Sequence, residues 1–199
     1  MKIIVIGASG TIGKAVVSEL KQRHDVIRVG RTSGDVQADV TDIGGVHALF
    51  DKVGKVDAVV MAAGSLHFGP LSEMTPELFG IGLHDKLMGQ VNVVLAGQQY
   101  VNDGGSFTLI SGIVGTEPIR FGANATTVNA AIEGFARAAA IELPRGIRIN
   151  AINATLLSES VEAYGPYFRG FETVPASRVA LAYSRSVEGA QTGQVYRVW

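Results

Sequence analysis

Residues 7–13 read GASGTIG, directly after the apolar run Lys2–Ile6 and directly before a segment with helical spacing. Glycines in this order let a chain turn tightly, approach a pyrophosphate closely and pack a helix onto the strand it leaves. The helix N-terminus adds unpaired N–H groups and positive partial charge. Alone, such a run reads as a turn. Between a strand and a helix it predicts a dinucleotide-binding fold.

The rest of the chain alternates strand-like and helix-like segments. After Lys2–Ile6, the segment Ile12–Arg23 carries Ala15, Val16 and Leu20 at helical spacing, and Asp25–Gly30 and Val36–Val40 read as two further strands. Thr41 or Asp42 caps the next helix, with Val46, Leu49, Phe50 and Val53 on its buried face. Val56–Met61 is apolar on both faces, as a central parallel strand requires. One long helix is expected from about Pro76 to Asn102, then a strand Ser106–Ser111, an Ala-rich helix Thr126–Leu143 and a strand Gly146–Asn153. A helix at Ala176–Ser186 and a strand Gly193–Trp199 end the chain, and the polar, irregular stretch Leu156–Pro175 is expected near the ligand mouth. The alternation predicts an α/β fold, a doubly wound parallel sheet of about seven strands with helices on both faces.

At 199 residues the chain is long enough for one sizeable core and too short for two independent domains, so residues 1–199 are expected to form one. Apolar residues make up 47% and charged residues 18%, and the formal net charge of −1 offers no basic surface to nucleic acid or an acidic membrane. With no cysteine there is neither disulfide nor thiolate chemistry, which fits a reducing compartment. Met1 leads straight into the first strand, leaving no room for a cleavable signal, and no apolar stretch reaches the roughly 18 residues of a membrane span. A cytoplasmic protein is expected. His24, His47, His67 and His84 lack metal-ligand spacing, so no metal site is expected. His67, in the loop after the fourth strand, reads as an exposed loop histidine or as one close enough to the cofactor to meet substrate.

Seven segments together resemble the short-chain dehydrogenase/reductase superfamily along nearly the whole chain. They are GASGTIG, Asp39–Val40, MAAG at 61–64, SFTLISGIVG at 106–115, AAIEGFARAAAIEL at 130–143, GIRINAI at 146–152 and TGQVYRV at 192–198. The resemblance implies NAD(P) bound across the carboxyl ends of the strands. Gly7, Ser9, Gly10, Thr11, Ile12 and Gly13 would surround the pyrophosphate and adenine ribose. Asp39 and Val40 would flank the adenine, Asp39 accepting from its amine, and Ala62, Ala63 and Gly64 would line the riboses. An acidic residue closing the second strand would bind the ribose 2′-hydroxyl and repel a 2′-phosphate. Here Gly30 is followed by Arg31, Thr32 and Ser33, a guanidinium and two hydroxyls suited to a phosphate. NADP(H) is therefore expected in preference to NAD(H).

Active members of that family use Ser, Tyr-x-x-x-Lys and a helical Asn: Tyr hands the proton to the substrate oxygen, Lys lowers its pKa, and Ser polarises the carbonyl. Aligned on AAIEGF, the Lys position falls on Asn129 and the Tyr position on Ala125; the Ser position falls on Gly112, and the Asn position on Lys86. All four are changed. Asn and Lys are exchanged, so Lys86 reaches the same spot from the opposite wall, or else turns to solvent or pairs with Asp85 or Glu133. Candidate catalytic groups are thus Lys86, Ser111 and Asn129, with the hydroxyls of Thr126 and Thr127 nearby. The loop after the sixth strand has Ala154–Thr155 where the family has Pro-Gly, and a short lid segment limits the substrate to a small molecule. Tyr164 and Tyr167 read as packing or rim residues, and Trp199 as a group for a subunit interface. The resemblance implies a homodimer or homotetramer, pairing through the two long helices and the last strand.

Two readings follow. One is an NADP(H)-binding oxidoreductase with a non-standard site and a small substrate. The other is a non-catalytic dinucleotide sensor or regulatory subunit that has kept the fold and lost the chemistry. The direction of Lys86 separates them: inward keeps chemistry, outward favours sensing.

Overall fold

A computed structural model describes all 199 residues. Seven strands form one sheet in the order β3-β2-β1-β4-β5-β6-β7, and every neighbouring pair is parallel. They are β1 (Lys2–Ile6), β2 (Asp25–Gly30), β3 (Val36–Gln37), β4 (Val56–Met61), β5 (Val101–Ile110), β6 (Arg148–Ala154) and β7 (Val195–Val198). The predicted α/β sheet is thus observed. The order reverses between β1 and β4, and such a switch point opens a crevice beyond the carboxyl ends of both strands.

Side chains alternate across the sheet and meet a different helix on each face. Thr108 of β5 bonds Ser186 of α7 (Ala176–Glu188), whereas the adjacent Phe107 lies against Gly97 at the end of α4 (Gly89–Gly97). On the first face α7 packs against α1 (Thr11–Leu20). On the other, α2 (Ile43–Val53) packs against α4, and α5 (Ala123–Glu142) against the segment before α4. The central strands are apolar on both sides because both sides are covered: Ile3, Ile4, Val5, Val59 and Val60 are wholly buried.

Asp42, one of the two caps expected for α2, accepts from the amides of Gly44 and Gly45. The third strand pairs only over Val36–Gln37, because Asp39 leaves the sheet to bond Thr41. The expected long helix 76–102 runs without interruption from Pro76 as α3 (Pro76–Gly82, capped by Thr75), a π-helical turn (Leu83–Met88) and α4, but ends at Gly97. A Cβ on Gly97 would lie 2.6 Å from the Phe50 ring, so the helix ends against the core, and Val101 already pairs with Val56. The continuous β5 ladder resumes at Ser106, the residue from which the strand is predicted.

Candidate functional site

The glycine run does two separate jobs. A Cβ on Gly13 would lie 2.0 Å from the Gly7 carbonyl, and one on Gly7, whose φ is +83°, would lie 2.7 Å from Ala62 and Ala63. Those two glycines let α1 and the β4 exit close onto the turn. Gly10 meets nothing nearer than 3.4 Å and lines the groove itself. Gly10 also precedes α1, which has no side-chain cap, so its first-turn N–H groups open on the groove.

That groove, about 270 Å³, is lined by Gly7, Ser9, Gly10, Arg31, Asp39, Val40 and the stretch Ala62–Ser65, among others. Of the three residues expected to hold a phosphate, Arg31 alone lines it. Ser33 faces a separate surface hollow with Lys14, Lys21 and Arg28, and the Thr32 carbonyl is taken by Gln37. The loop turns at Gly34 (φ +108°), which aims consecutive side chains to different sides. Arg31 lies between two carboxylates, with Asp85 at 3.4 Å and Asp39 at 4.0 Å. Thr41 donates its backbone and hydroxyl hydrogens to Asp39 Oδ1, which holds that carboxyl below its usual range. Asp39 therefore has Oδ2 left for a further donor. Thr11 is exposed at the helix start, and Ile12 lines the next hollow inward.

That hollow, about 200 Å³, is bounded by Ile12, Ala62–Gly64, Lys86, Ile110, Ser111, Ala154 and Thr155. It leads to a larger cavity of about 400 Å³. Gly64, Lys86, Ala154 and Thr155 belong to both chambers, so the two meet at the lysine.

Lys86 is 7% exposed and points inward. The π-helical turn carries it there, and Gly64 (φ +139°) makes room, since a Cβ on Gly64 would sit 2.4 Å from Lys86 Cγ. Its Nζ donates to Asn129 Oδ1 at 2.7 Å and to the Ser111 carbonyl at 3.3 Å. Neither carboxylate weighed as a partner reaches it. Asp85 is held by the Ser65 amide and Arg31, and Glu133 by Ser111 Oγ at 2.9 Å and Asn153 Nδ2 at 2.6 Å. Burial without a counter-charge pushes the Lys86 ammonium down from 10.5 to about 8. An ammonium has three N–H donors, and two are claimed. One is free.

The other family positions are closed or redirected. Gly112 is extended backbone on the cavity wall, beside Asn129. Ala125 is wholly buried in a small cluster with Ile113 and Val114, which line the cavity while Ala125 itself does not. Ser111 turns its hydroxyl to Glu133 and the Ile152 carbonyl and offers only its own carbonyl to Lys86. Thr127 bonds back to its own helix. His67 is held at its amide by Asn124 and does not line the cavity. Trp199 donates its indole N–H to Asn153, which joins it to the buried Glu133–Ser111 network. No three His, Cys, Asp or Glu side chains converge as metal ligands, and no helix is long and apolar enough to cross a membrane.

The cavity walls are residues that carried no sequence signal of chemistry: Leu66, Phe68, Ile113, Leu156, Leu157 and Phe168 are prominent. Tyr164 joins them at the rim, and Phe68 lies 5.6 Å from the Tyr167 ring. Leu156, Leu157 and Phe168 turn toward the cavity from an otherwise polar stretch, whereas Val161 stays exposed. Only an apolar periodicity within that stretch, broken here into single turns, would have shown it.

This architecture is that of a short-chain dehydrogenase/reductase, and comparison with known proteins agrees. The family described as enoyl-(acyl carrier protein) reductase, within that superfamily, matches residues 2–196, and the chain belongs to it. The chain is similar to 1-cyclohexenylcarbonyl-CoA reductase of Streptomyces collinus, with 27% identity over 89% of this chain and 71% of that one. Among solved structures, the protein lin1944 from Listeria innocua superposes with a TM-score of 0.98 and 50% identity over all of both chains. A small-chain dehydrogenase in complex with NADPH superposes with a TM-score of 0.90 and 25% identity, over all of this chain and 96% of that one.

Proposed function

We propose that this protein is an NADP(H)-dependent oxidoreductase acting on a small carbonyl compound, with Lys86 as the proton donor. The observation that carries the reading is the inward Lys86 ammonium, with one unclaimed N–H, where the two chambers meet. The groove fits a dinucleotide: free N–H groups at the start of α1 suit a pyrophosphate, Gly10 leaves the backbone bare, and Arg31 supplies a cation for a 2′-phosphate. The solved relative that holds NADPH supports the same reading. When bound, the cofactor supplies a hydride.

The chain's own residues supply the rest. Asn129 Oδ1 and the Ser111 carbonyl hold the ammonium in place. Its third N–H donates to the oxygen that gains negative charge, and the proton passes from Nζ to that oxygen. Leu156, Leu157 and Phe168 supply part of the cavity's apolar wall. A Lys held near pH 8 suits this task better than one at 10.5, because it gives up its proton more readily while remaining mostly charged at neutral pH. The inward lysine favours this over the sensor reading.

The test is an NADPH oxidation assay over a panel of small ketones and enones, run beside Lys86→Ala. Turnover that Lys86→Ala abolishes supports the reading. NADPH binding without turnover on any member supports the sensor instead.

A further inference from the structure

The 400 Å³ cavity is chemically lopsided. Its sixteen lining residues include one charged side chain, Lys86, and no carboxylate. Lys86 and Asn129 sit beside Gly112, and the cavity's other polar side chains, Ser65, Thr155, Ser160 and Tyr164, carry only neutral hydroxyls. The rest of the wall is apolar, with Phe68 and Phe168 among the rings.

Lys86 and Asn129 together bring more donors than acceptors. Two of the three Lys86 protons go to neutral oxygens, Asn129 Oδ1 and the Ser111 carbonyl. With its Oδ1 accepting from Lys86, Asn129 presents Nδ2 as a donor. That nitrogen lies 3.5 Å from where a Cβ of Gly112 would be, in space that the glycine leaves open. The two carboxylates within reach of the region are already committed. Glu133 is held by Ser111 and Asn153, with Arg137 at 3.9 Å, and Asp85 by Ser65 and Arg31. A buried cation with only neutral partners is costly, and an anion is the partner that relieves the cost.

We propose that this cavity is a binding site for a small ring compound carrying one anionic oxygen, seated between Lys86 Nζ and Asn129 Nδ2 with the ring against Phe68 and the leucines. Phenolates, enolates and aryl carboxylates are the members of that class. The assignment of the cavity as the substrate chamber rests on the function proposed above, and the same oxygen seat then holds the carbonyl oxygen as it gains charge. The occupancy itself needs no turnover. A cavity of this size holds one ring or two fused rings, and the absence of any second cation argues against ligands with two anionic groups.

The experiment is calorimetric titration of the full chain with 2-naphthoate, its neutral isostere 2-naphthamide, and acetate. It is repeated on Lys86→Met and Phe68→Ala. Naphthoate is expected to bind at least tenfold tighter than naphthamide and acetate. Lys86→Met should erase the acid preference, while Phe68→Ala weakens acid and amide alike. Equal binding of acid and amide by the unmodified protein overturns the proposal. So does an acid preference that survives Lys86→Met, or acetate binding as tightly as naphthoate. Should one variant not fold, the comparison of three ligands on the unmodified chain still decides. Carbonyl reduction without acid preference would sink this inference and leave the reductase reading. Acid binding that needs Lys86, with no carbonyl reduced, would do the reverse.

Discussion

Lys86 Nζ lies 2.7 Å from Asn129 Oδ1, which joins the π-helical turn before α4 to the middle of α5 inside the site. The resemblance read from the sequence would place asparagine and lysine at these two positions the other way round. The exchange keeps one ammonium and one amide at the meeting of the chambers and reverses the wall from which each is delivered. It also leaves the ammonium without the tyrosine it serves in the family, since Ala125 is sealed among Ile113 and Val114.

Lys86→Met should stabilise the protein near neutral pH. A lysine whose folded pKa is depressed binds fewer protons folded than unfolded between about 8 and 10.5. The burial cost is thus fully present below pH 8 and fades as pH rises toward 10.5. The shift corresponds to about 3 kcal/mol. Urea unfolding of both proteins at pH 6.5 and pH 10 should show the variant ahead at the first and the gap mostly closed at the second. A gap of equal size at both contradicts the assignment.

If the ammonium is the proton donor, kcat/KM for carbonyl reduction should fall as pH rises through about 8. Loss of a positioned general acid costs roughly 10²–10⁴-fold in rate, so Lys86→Ala should fall by that order while NADPH affinity changes little. A pH profile flat to pH 10 would remove Lys86 from the proton step.

Arg31 reaches Asp85 at 3.4 Å across the groove. Arg31→Ala is expected to weaken NADPH by about tenfold, on the scale of one charge-assisted contact, and NADH hardly at all. Asp85→Asn, which frees the guanidinium, should shift preference further toward NADPH. Fluorescence titration with both cofactors reads the ratio; an unchanged ratio in Arg31→Ala rules out its role at the 2′-phosphate.

Gly64→Ala brings a Cβ to 2.4 Å of Lys86 Cγ at a backbone φ of +139°. Strain of this kind costs about 1–3 kcal/mol, and the lysine stem must move. Thermal melting should report the first effect. An activity loss exceeding that of Gly54→Ala, also at positive φ but with open space around it, should report the second.

Putting the family's tyrosine back at Ala125 should not restore its chemistry. Ala125 is 0% exposed and lies behind the cavity-wall residues Ile113 and Val114, so Tyr there overpacks that cluster, at about 1–3 kcal/mol. A stable, more active Ala125→Tyr would show that the cluster opens.

The sheet was legible because periodicity and burial are local signals. Continuous apolar runs such as Val56–Met61 and Ile3–Ile6 fit only strands covered on both faces, and the glycine run between strand and helix located the groove. The π-helical turn and the early end of the 76–102 helix were not legible, because they depend on where Gly82 meets Asn124 and where Gly97 meets Phe50, contacts between segments far apart in sequence. Spacing placed Arg31, Thr32 and Ser33 together, and the turn at Gly34 separated them. Likewise Ser111 stood among the candidates until Glu133, 22 residues on, claimed its hydroxyl.

By itself the sequence determined the layered α/β architecture and the glycine turn that opens the groove, since both are written in residue type and short-range order. Tertiary structure alone decided that Lys86 points inward, that neither Asp85 nor Glu133 neutralises it, and that a polar stretch near residue 160 lends apolar side chains to the cavity. The physical reason is that charge pairing and desolvation depend on distances between groups on different elements, and those distances exist only once the helices have docked on the sheet.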